Sequence, residues 1–283
     1  MKIAITAASG QLGRAIAEST VKKVGKEKVI AVARTPENVT HLGIEVRKGD
    51  YNDKPSLSMA FEGVDTVLLV SSNDFPQLRL QQHSNVINIA KEVGVKKIVY
   101  TSIVGKEKQN TFSEVITSNR DTEKYLRASG IDWIIGRNGL YANPDLEFVE
   151  YYVKTGKIVN SAGEGKCAYT TREELAEAYA ELLSNDAHNQ QTYFLGGEAI
   201  TQSELAQIIS EIYQRTVVFE DMEPEAYTQS RMESMGTFMG RTIGGIYHGI
   251  RQGAFNFISD FEKVTGRKHI TMQAYFSQNK VEV

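Results

Sequence analysis

Lys2-Ile3-Ala4-Ile5-Thr6-Ala7-Ala8-Ser9-Gly10-Gln11-Leu12-Gly13 decides how the rest of the chain is read. An apolar run ends in a turn of small residues and passes at once into an apolar-periodic segment, which predicts strand, loop and helix in immediate succession. At such a junction the first backbone N–H groups of the helix have no carbonyl partner and point at whatever anion lies in front of them. Gly10 lets a phosphate approach the backbone closely. Gly13 lets the helix pack tightly on the strand, and Ser9 adds a hydroxyl beside the amides of Gln11 and Leu12. The spacing is that of a GxxGxxG loop with Ala7 where the first glycine stands, so Ala7 has to reach the turn's backbone angles with a Cβ attached.

Outward from this stretch, strands and helices alternate, the pattern of an α/β doubly wound parallel sheet. The first helix runs about Leu12 to Val24, with Leu12, Ile16, Thr20 and Val24 spaced to face the sheet. Val29 to Ala33, Ile44 to Lys48, Thr66 to Val70, Lys97 to Thr101 and Trp133 to Arg137 are the following strands. Helices are expected near Pro55, from Leu80 to Val93 and from Glu114 to Ala128. Thr66 to Val70 is unbroken and apolar, as strands buried on both faces are.

Each loop at a carboxyl end of these strands carries polar residues, and in such sheets ligands bind there, at the point where the strand order reverses. The expected ligand is a dinucleotide. Its candidate contacts are Thr6, Ala8, Ser9, Gly10, Gln11, Leu12 and Gly13 in the first loop, then Arg34, Asp50, Tyr51, Ser71, Ser72, Asn73, Thr101, Ser102 and Asn138. Arg34 favours NADPH. A carboxylate at the end of the second strand would accept from a ribose 2′-hydroxyl and repel a 2′-phosphate, whereas a guanidinium pairs with that phosphate. Were Arg34 only stacked on the adenine, NADH would serve as well.

Composition narrows the function further. The chain has 283 residues and a formal net charge of −3, which gives no electrostatic case for nucleic acid. Cys167 is the single cysteine, so no internal disulfide forms, which fits a reducing cytoplasm. No signal peptide is visible, and no apolar run approaches the length of a membrane span. His41, His83, His188, His248 and His269 lack metal-ligand spacing, so no metal is expected. Neither a Gly-x-Ser-x-Gly elbow nor a phosphate-binding Gly-Lys-Ser/Thr occurs.

The second part of the chain reads as a smaller α/β layer. A strand at Ile158-Val159-Asn160, a helix from Arg172 to Ser184, a strand from Gln191 to Leu195 and a capping box at Thr201-Gln202-Ser203-Glu204 that opens a helix through Tyr213 are expected. Residues 1–156 then form the dinucleotide domain. Residues 157–283 form a substrate-binding region partly interleaved with the same sheet. Gly236, Gly240, Gly244, Gly249 and Gly253 recur among Met232, Met235, Phe238 and Met239. Glycine inside a helix costs roughly 1 kcal/mol relative to alanine, so this stretch is expected to be less stable and to serve as a mobile cover, with an ordinary surface helix pair or a dimer contact as the alternative.

The runs AASGQLG, VAR, GDYND, LLVSSND and QQHSNVINIAKEVGVKKIVYTS, the Thr122-Glu123-Lys124 triplet and RNGLY resemble the NmrA-like branch of atypical short-chain dehydrogenases. Type 2 NAD(P)H:quinone oxidoreductases and triphenylmethane reductases are the nearest in kind. The resemblance spans essentially the whole chain, more loosely in its last third. It implies an NAD(P)-binding Rossmann domain with a smaller carboxy-terminal substrate domain, in a family ranging from reductases to redox sensors. It also implies a role for Lys124 at the cofactor ribose or nicotinamide.

Catalysis must proceed without a familiar group. Many short-chain dehydrogenases use a Tyr-x-x-x-Lys pair, whose lysine lowers the phenol pKa so that it can serve as acid or base. Counting back from Lys124, the tyrosine place holds Arg120, and no other such pair occurs. Asn138 and Tyr141, at the end of the sixth strand, are the candidate catalytic contacts with Lys124. Asn138 offers a donor and an acceptor, and Tyr141 a ring to stack on a flat aromatic acceptor. The expected function is an NADPH-dependent reductase of a quinone-like small molecule. A non-catalytic NADP(H)-sensing protein is the alternative, with a sugar-nucleotide epimerase or dehydratase behind it, and a homodimer stays open.

Overall fold

The computed structural model describes residues 1–107 and 112–282. In chain order, β1 (Ile3–Ile5), α1 (Gln11–Val24), β2 (Val29–Ala33), β3 (Glu45–Lys48), α2 (Lys54–Phe61), β4 (Thr66–Val70), α3 (Pro76–Glu92), β5 (Lys97–Ile103), α4 (Ser113–Ala128) and β6 (Asp132–Asn138) alternate as expected. Pro76 at the first turn of α3 starts that helix earlier than Leu80, because a proline there lacks only an N–H that would have no helical partner. The main sheet has seven strands, ordered β3-β2-β1-β4-β5-β6-β9, with every neighbouring pair parallel; β9 is Gln191–Leu195. The chain steps from β1 to β2 and β3 on one side, then returns to place β4 on the other. A crevice opens at that reversal, at the carboxyl ends of β1 and β4.

Burial follows position in the sheet. All residues of β1, β2 and β4 are buried, because helices cover both faces. The edge strand β3 carries Glu45, Arg47 and Lys48 and keeps its ends exposed, as edge strands do. On one face Ile16 and Ala17 of α1 pack with Leu175, Ala178 and Leu182 of the later helix Arg172–Ser184, over Ile3, Ile5 and Leu68. On the other, Leu57, Phe61, Val86, Ile87 and Leu126 close over Ile30, Val67 and Ile98.

Beyond β6 come α5 (Asn143–Glu147), α6 (Val149–Thr155), β7 (Lys157–Asn160), β8 (Cys167–Ala168) and α7 (Arg172–Ser184) before the chain returns to the main sheet through β9. Then follow β10 (Ala199–Ile200), α8 (Gln202–Tyr213), β11 (Val218–Asp221), α9 (Pro224–Met235), α10 (Thr237–Arg251), α11 (Phe261–Thr265) and α12 (Met272–Gln278). β7 pairs in parallel with β11, and β8 antiparallel with β10. Their core gathers Ile158, Cys167, Tyr169, Leu205, Ile209, Phe255 and Phe276. The capping box of α8 is present: Thr201 Oγ1 accepts from Glu204 N and Glu204 Oε2 from Thr201 N.

The Gly- and Met-rich stretch forms the hairpin α9–α10, with Gly236 between the helices at φ 81°. A Cβ on Gly240 would lie 2.3 Å from Met232 N, and one on Gly244 2.2 Å from Thr228 Oγ1. These glycines let the helix backbones approach, so close packing offsets their propensity cost. The first turn of α10 also reaches the β4–α3 loop, where Phe238 meets Phe75 edge to face at 4.7 Å. Among the described residues, no helix is long and apolar enough to cross a membrane, and no cluster of His, Cys, Asp or Glu is built to hold a metal.

Candidate functional site

A cleft of about 590 Å³ runs along the carboxyl ends of β1, β2, β4, β5 and β6. Its first wall is the opening stretch of the sequence. Gly10 is the N-cap of α1 and no side chain caps it; the first helical bond runs from Arg14 N to Gly10 O at 2.9 Å. The amides of Gln11, Leu12 and Gly13 therefore precede any intrahelical acceptor and carry the positive end of the helix dipole. A Cβ on Gly10 would stand 3.3 Å from Ala7 O, and one on Gly13 2.4 Å from it. Ala7 takes the left-handed conformation, φ 49°, that the missing glycine would have adopted freely. This shape and polarity fit a pyrophosphate.

Ser9, Gly10, Gln11, Leu12, Gly13, Arg34, Asp50, Tyr51, Ser71, Ser72, Asn73, Thr101, Ser102, Asn138 and Tyr141 all line this one cleft. Thr6, Ala8 and Lys124 do not. Thr6 is buried behind the loop, where its Oγ1 donates to Leu68 O at 2.7 Å, accepts from Val70 N at 3.1 Å and lies 2.5 Å from Tyr51 Oη, joining β1 to β4. Ala8 is packed with Ala31, Ala33 and Val39. Lys124 points to solvent and pairs with Asp121 at 3.3 Å. Successive helical residues turn by about 100°, so the position that sends Glu123 inward carries Lys124 out.

Arg34 stands exposed at the end of β2, and no carboxylate among the described residues pairs with it. Below it the floor is held by backbone and hydroxyl bonds. Asp50 Oδ1 accepts from Asn52 N at 2.9 Å, and the Tyr51 phenol donates to Val70 O at 2.8 Å while burial raises its pKa beyond the usual phenol range. Ser71 Oγ lies 2.9 Å from Tyr100 Oη, 2.7 Å from Thr101 O and 2.8 Å from Asn119 Oδ1, and Ser71 N donates to Thr101 Oγ1 at 2.9 Å.

The loop after β4 is clamped by two side chains the sequence reading did not select. Arg79, buried, turns its Nε (2.6 Å) and Nη2 to the carbonyl of Ser72. His83 Nε2 accepts from Ser72 N at 2.9 Å, and Nδ1 lies 2.8 Å from Thr122 Oγ1. Thr122 donates its own hydrogen to Ser118 O, so His83 is the donor to it and the ring is the neutral Nδ1–H tautomer. Burial, with the charge of Arg79 behind it, drives the His83 pKa down to about 3.

At the far end, Asn138 Oδ1 accepts from the Tyr179 phenol at 2.7 Å and Asn138 also bonds Tyr141, whose pKa burial raises. Arg172 lies over the Tyr141 ring at 5.7 Å. Glu123 is the other residue missed. It is fully buried, and its carboxylate accepts from Ser102, Arg120, Arg127 and Arg137. Arg120, Glu123 and Arg127 at i, i+3 and i+7 of α4 were a legible charged stripe; their burial was not. Arg120, in the tyrosine place, is thus engaged with an internal carboxylate.

A family model described as NAD(P)H-binding matches residues 7–186. Quinone oxidoreductase 2 of Escherichia coli is 36% identical over 238 residues, 83% of this chain and 82% of its own length. The crystal structure of that protein with NADPH superposes with a TM-score of 0.90 over 98% of both chains, at 31% identity. The triphenylmethane reductase of Citrobacter sp., solved with NADP(H), gives 0.91 over 99% of this chain and 100% of its own, also at 31% identity. An NmrA-like family domain-containing oxidoreductase of Aspergillus flavus is 29% identical over 239 residues, 81% of this chain and 77% of its own. Glycine cradle, parallel sheet and cleft agree with these similarities: the chain belongs to the NAD(P)H-binding family, in its NmrA-like branch, and is an NAD(P)H-dependent oxidoreductase.

Proposed function

We propose that this protein is an NADPH-dependent reductase that delivers hydride to a quinone or a similar flat aromatic acceptor. NADPH supplies the hydride when bound. The amides of Gln11, Leu12 and Gly13 hold the pyrophosphate, and Arg34 pairs with the 2′-phosphate. Asn138 and Tyr141 border the end of the cleft where the nicotinamide and the acceptor meet, Tyr141 offering its ring as a stacking surface.

The observation that carries the acceptor class is the fate of the proton donor. Arg120 occupies the tyrosine place and binds Glu123 at 2.9 Å, while Lys124 faces solvent. A simple ketone or aldehyde becomes a strongly basic alkoxide on hydride addition and needs an acid beside it. A quinone becomes a delocalised hydroquinone anion, which takes its proton from water. Positioning then supplies most of the acceleration. An epimerase or dehydratase is disfavoured on the same ground.

The test is oxidation of NADPH by purified protein against quinones, cationic dyes and simple aldehydes. Turnover of the first two groups and not of aldehydes is expected. Faster reduction of aldehydes would overturn the reading. Tight NADPH binding with no turnover of any acceptor would favour the redox-sensing alternative.

A further inference from the structure

Ser102, at the end of β5, is buried and lines the cleft at the end occupied by Asn138 and Tyr141. Its hydrogen bonding is settled from behind. Ser102 Oγ lies 2.7 Å from Glu123 Oε1 and 3.2 Å from Arg120 Nη1. A guanidinium is a donor only, so Arg120 occupies one lone pair of the hydroxyl oxygen. Glu123 also accepts from Arg120 Nη1 at 2.9 Å, Arg137 Nε at 2.9 Å, Arg137 Nη2 at 2.7 Å and Arg127 Nη2 at 3.1 Å. Burial pushes its pKa up, but the bonds from Arg137 and the charge of Arg120 outweigh burial and hold it below the ordinary carboxylate value. An ionised carboxylate only accepts, so the hydrogen of Ser102 is committed to Glu123. One lone pair of Ser102 Oγ is left for a ligand.

We propose that Ser102 meets the bound dinucleotide solely as a hydrogen-bond acceptor, that Glu123 is the positioning residue that holds it so, and that the group it takes is the N–H of the nicotinamide carboxamide. This rests on the NADPH reading above. β5 and β6 pair with Ser102 opposite Arg137 and Ile103 opposite Asn138, which puts Ser102 at the same end of the cleft as Asn138 and away from Arg34. The donors that a dinucleotide carries at that end are the carboxamide N–H and the ribose hydroxyls. The carboxamide is chosen because its N–H has no hydrogen-bond accepting role to lose when it meets a lone pair. It follows that the serine proton is not available to the acceptor molecule.

The test is equilibrium binding, by calorimetry, of NADPH and of its reduced 3-acetylpyridine analogue, in which a methyl group replaces the carboxamide NH₂. Wild-type protein should bind the analogue about three- to tenfold more weakly, the worth of one hydrogen bond. In Ser102→Ala that ratio should fall to about one, through loss of NADPH affinity. Glu123→Leu removes the acceptor altogether, the hydroxyl hydrogen of Ser102 turns free, and the ratio should fall likewise, with circular dichroism as the check on folding. A Ser102→Ala protein that keeps the ratio, or that weakens both dinucleotides equally, overturns the carboxamide assignment. A folded Glu123→Leu protein with the wild-type ratio overturns the positioning role. Should Glu123→Leu not fold, the ratio is read in Glu123→Leu/Arg137→Met, which removes one of the stranded charges, and a wild-type ratio there overturns the positioning role. Wild-type protein that binds no NADPH at all refutes the reductase reading instead.

Discussion

The carbonyl oxygen of Ala7 lies 2.4 Å from the position that a Cβ on Gly13 would take. That one contact ties the loop after β1 to the first turn of α1, and it sets how closely the helix amides stand over the cleft. Gly13→Ala must push the helix away from the loop. We expect a stability loss of about 1–3 kcal/mol together with weakened NADPH binding, measured by urea denaturation and calorimetry. Ala7→Gly removes a Cβ from a left-handed residue and should be neutral to stabilising by up to about 1 kcal/mol. Unchanged cofactor affinity in Gly13→Ala would show that the phosphate is held elsewhere.

Arg34→Asp should weaken NADPH by about 10- to 100-fold, the worth of charge-assisted bonds to a phosphate, and leave NADH nearly unchanged or slightly improved. Titration of both cofactors checks it. Equal losses would mean that Arg34 does not meet the 2′-phosphate.

Arg120→Ala should keep the larger part of turnover and lose about 1–3 kcal/mol of stability, because Glu123 retains Ser102, Arg127 and Arg137. Asn138→Ala and Tyr141→Ala should lose turnover. Steady-state rates beside denaturation curves separate the two effects. A collapse of turnover in Arg120→Ala with NADPH binding intact would make Arg120 part of the chemistry.

His83 links stability to acid. Its pKa falls from 6.5 to about 3 on folding, so between those values the unfolded chain binds the extra proton. The contribution is complete above pH 6.5 and is lost as pH falls toward 3. Asp145 acts with the opposite sign: burial raises its pKa from 3.8 to about 6, so its ionisation opposes folding as pH rises through that window. His83→Gln should therefore flatten the fall in urea midpoint between pH 6.5 and 4.5 relative to wild type. Parallel curves for the two proteins would show that His83 does not titrate on unfolding.

What was legible in the sequence was local. β2, β4, α7 and β9 stand at the residues their periodicity marked, because alternation and helical spacing record which side of each element meets a core. The capping box at Thr201 and the loop at Gly10 are equally local, being geometry between residues at most a few positions apart. Arg34 entered the cleft for the same reason: it directly follows a strand, and strand ends in a parallel sheet share one edge.

The sequence by itself thus determined the parallel sheet, the phosphate-facing loop and most of the polar rim of the cleft. Only the tertiary structure decided which charges are inside. Glu123 meets Ser102 across 21 residues and Arg137 across 14, a pairing that depends on how α4 lies over β5 and β6 and leaves no periodic trace. One helical step turned Lys124 out to Asp121, and sheet pairing drew Thr6 behind the loop it borders. The glycines of α10 weaken an isolated helix, but α9 packs directly against them, where a Cβ on Gly244 would strike Thr228. Propensity and pattern act within one element. Burial of charge and close backbone approach are properties of two elements at once, so they were fixed only when the elements packed.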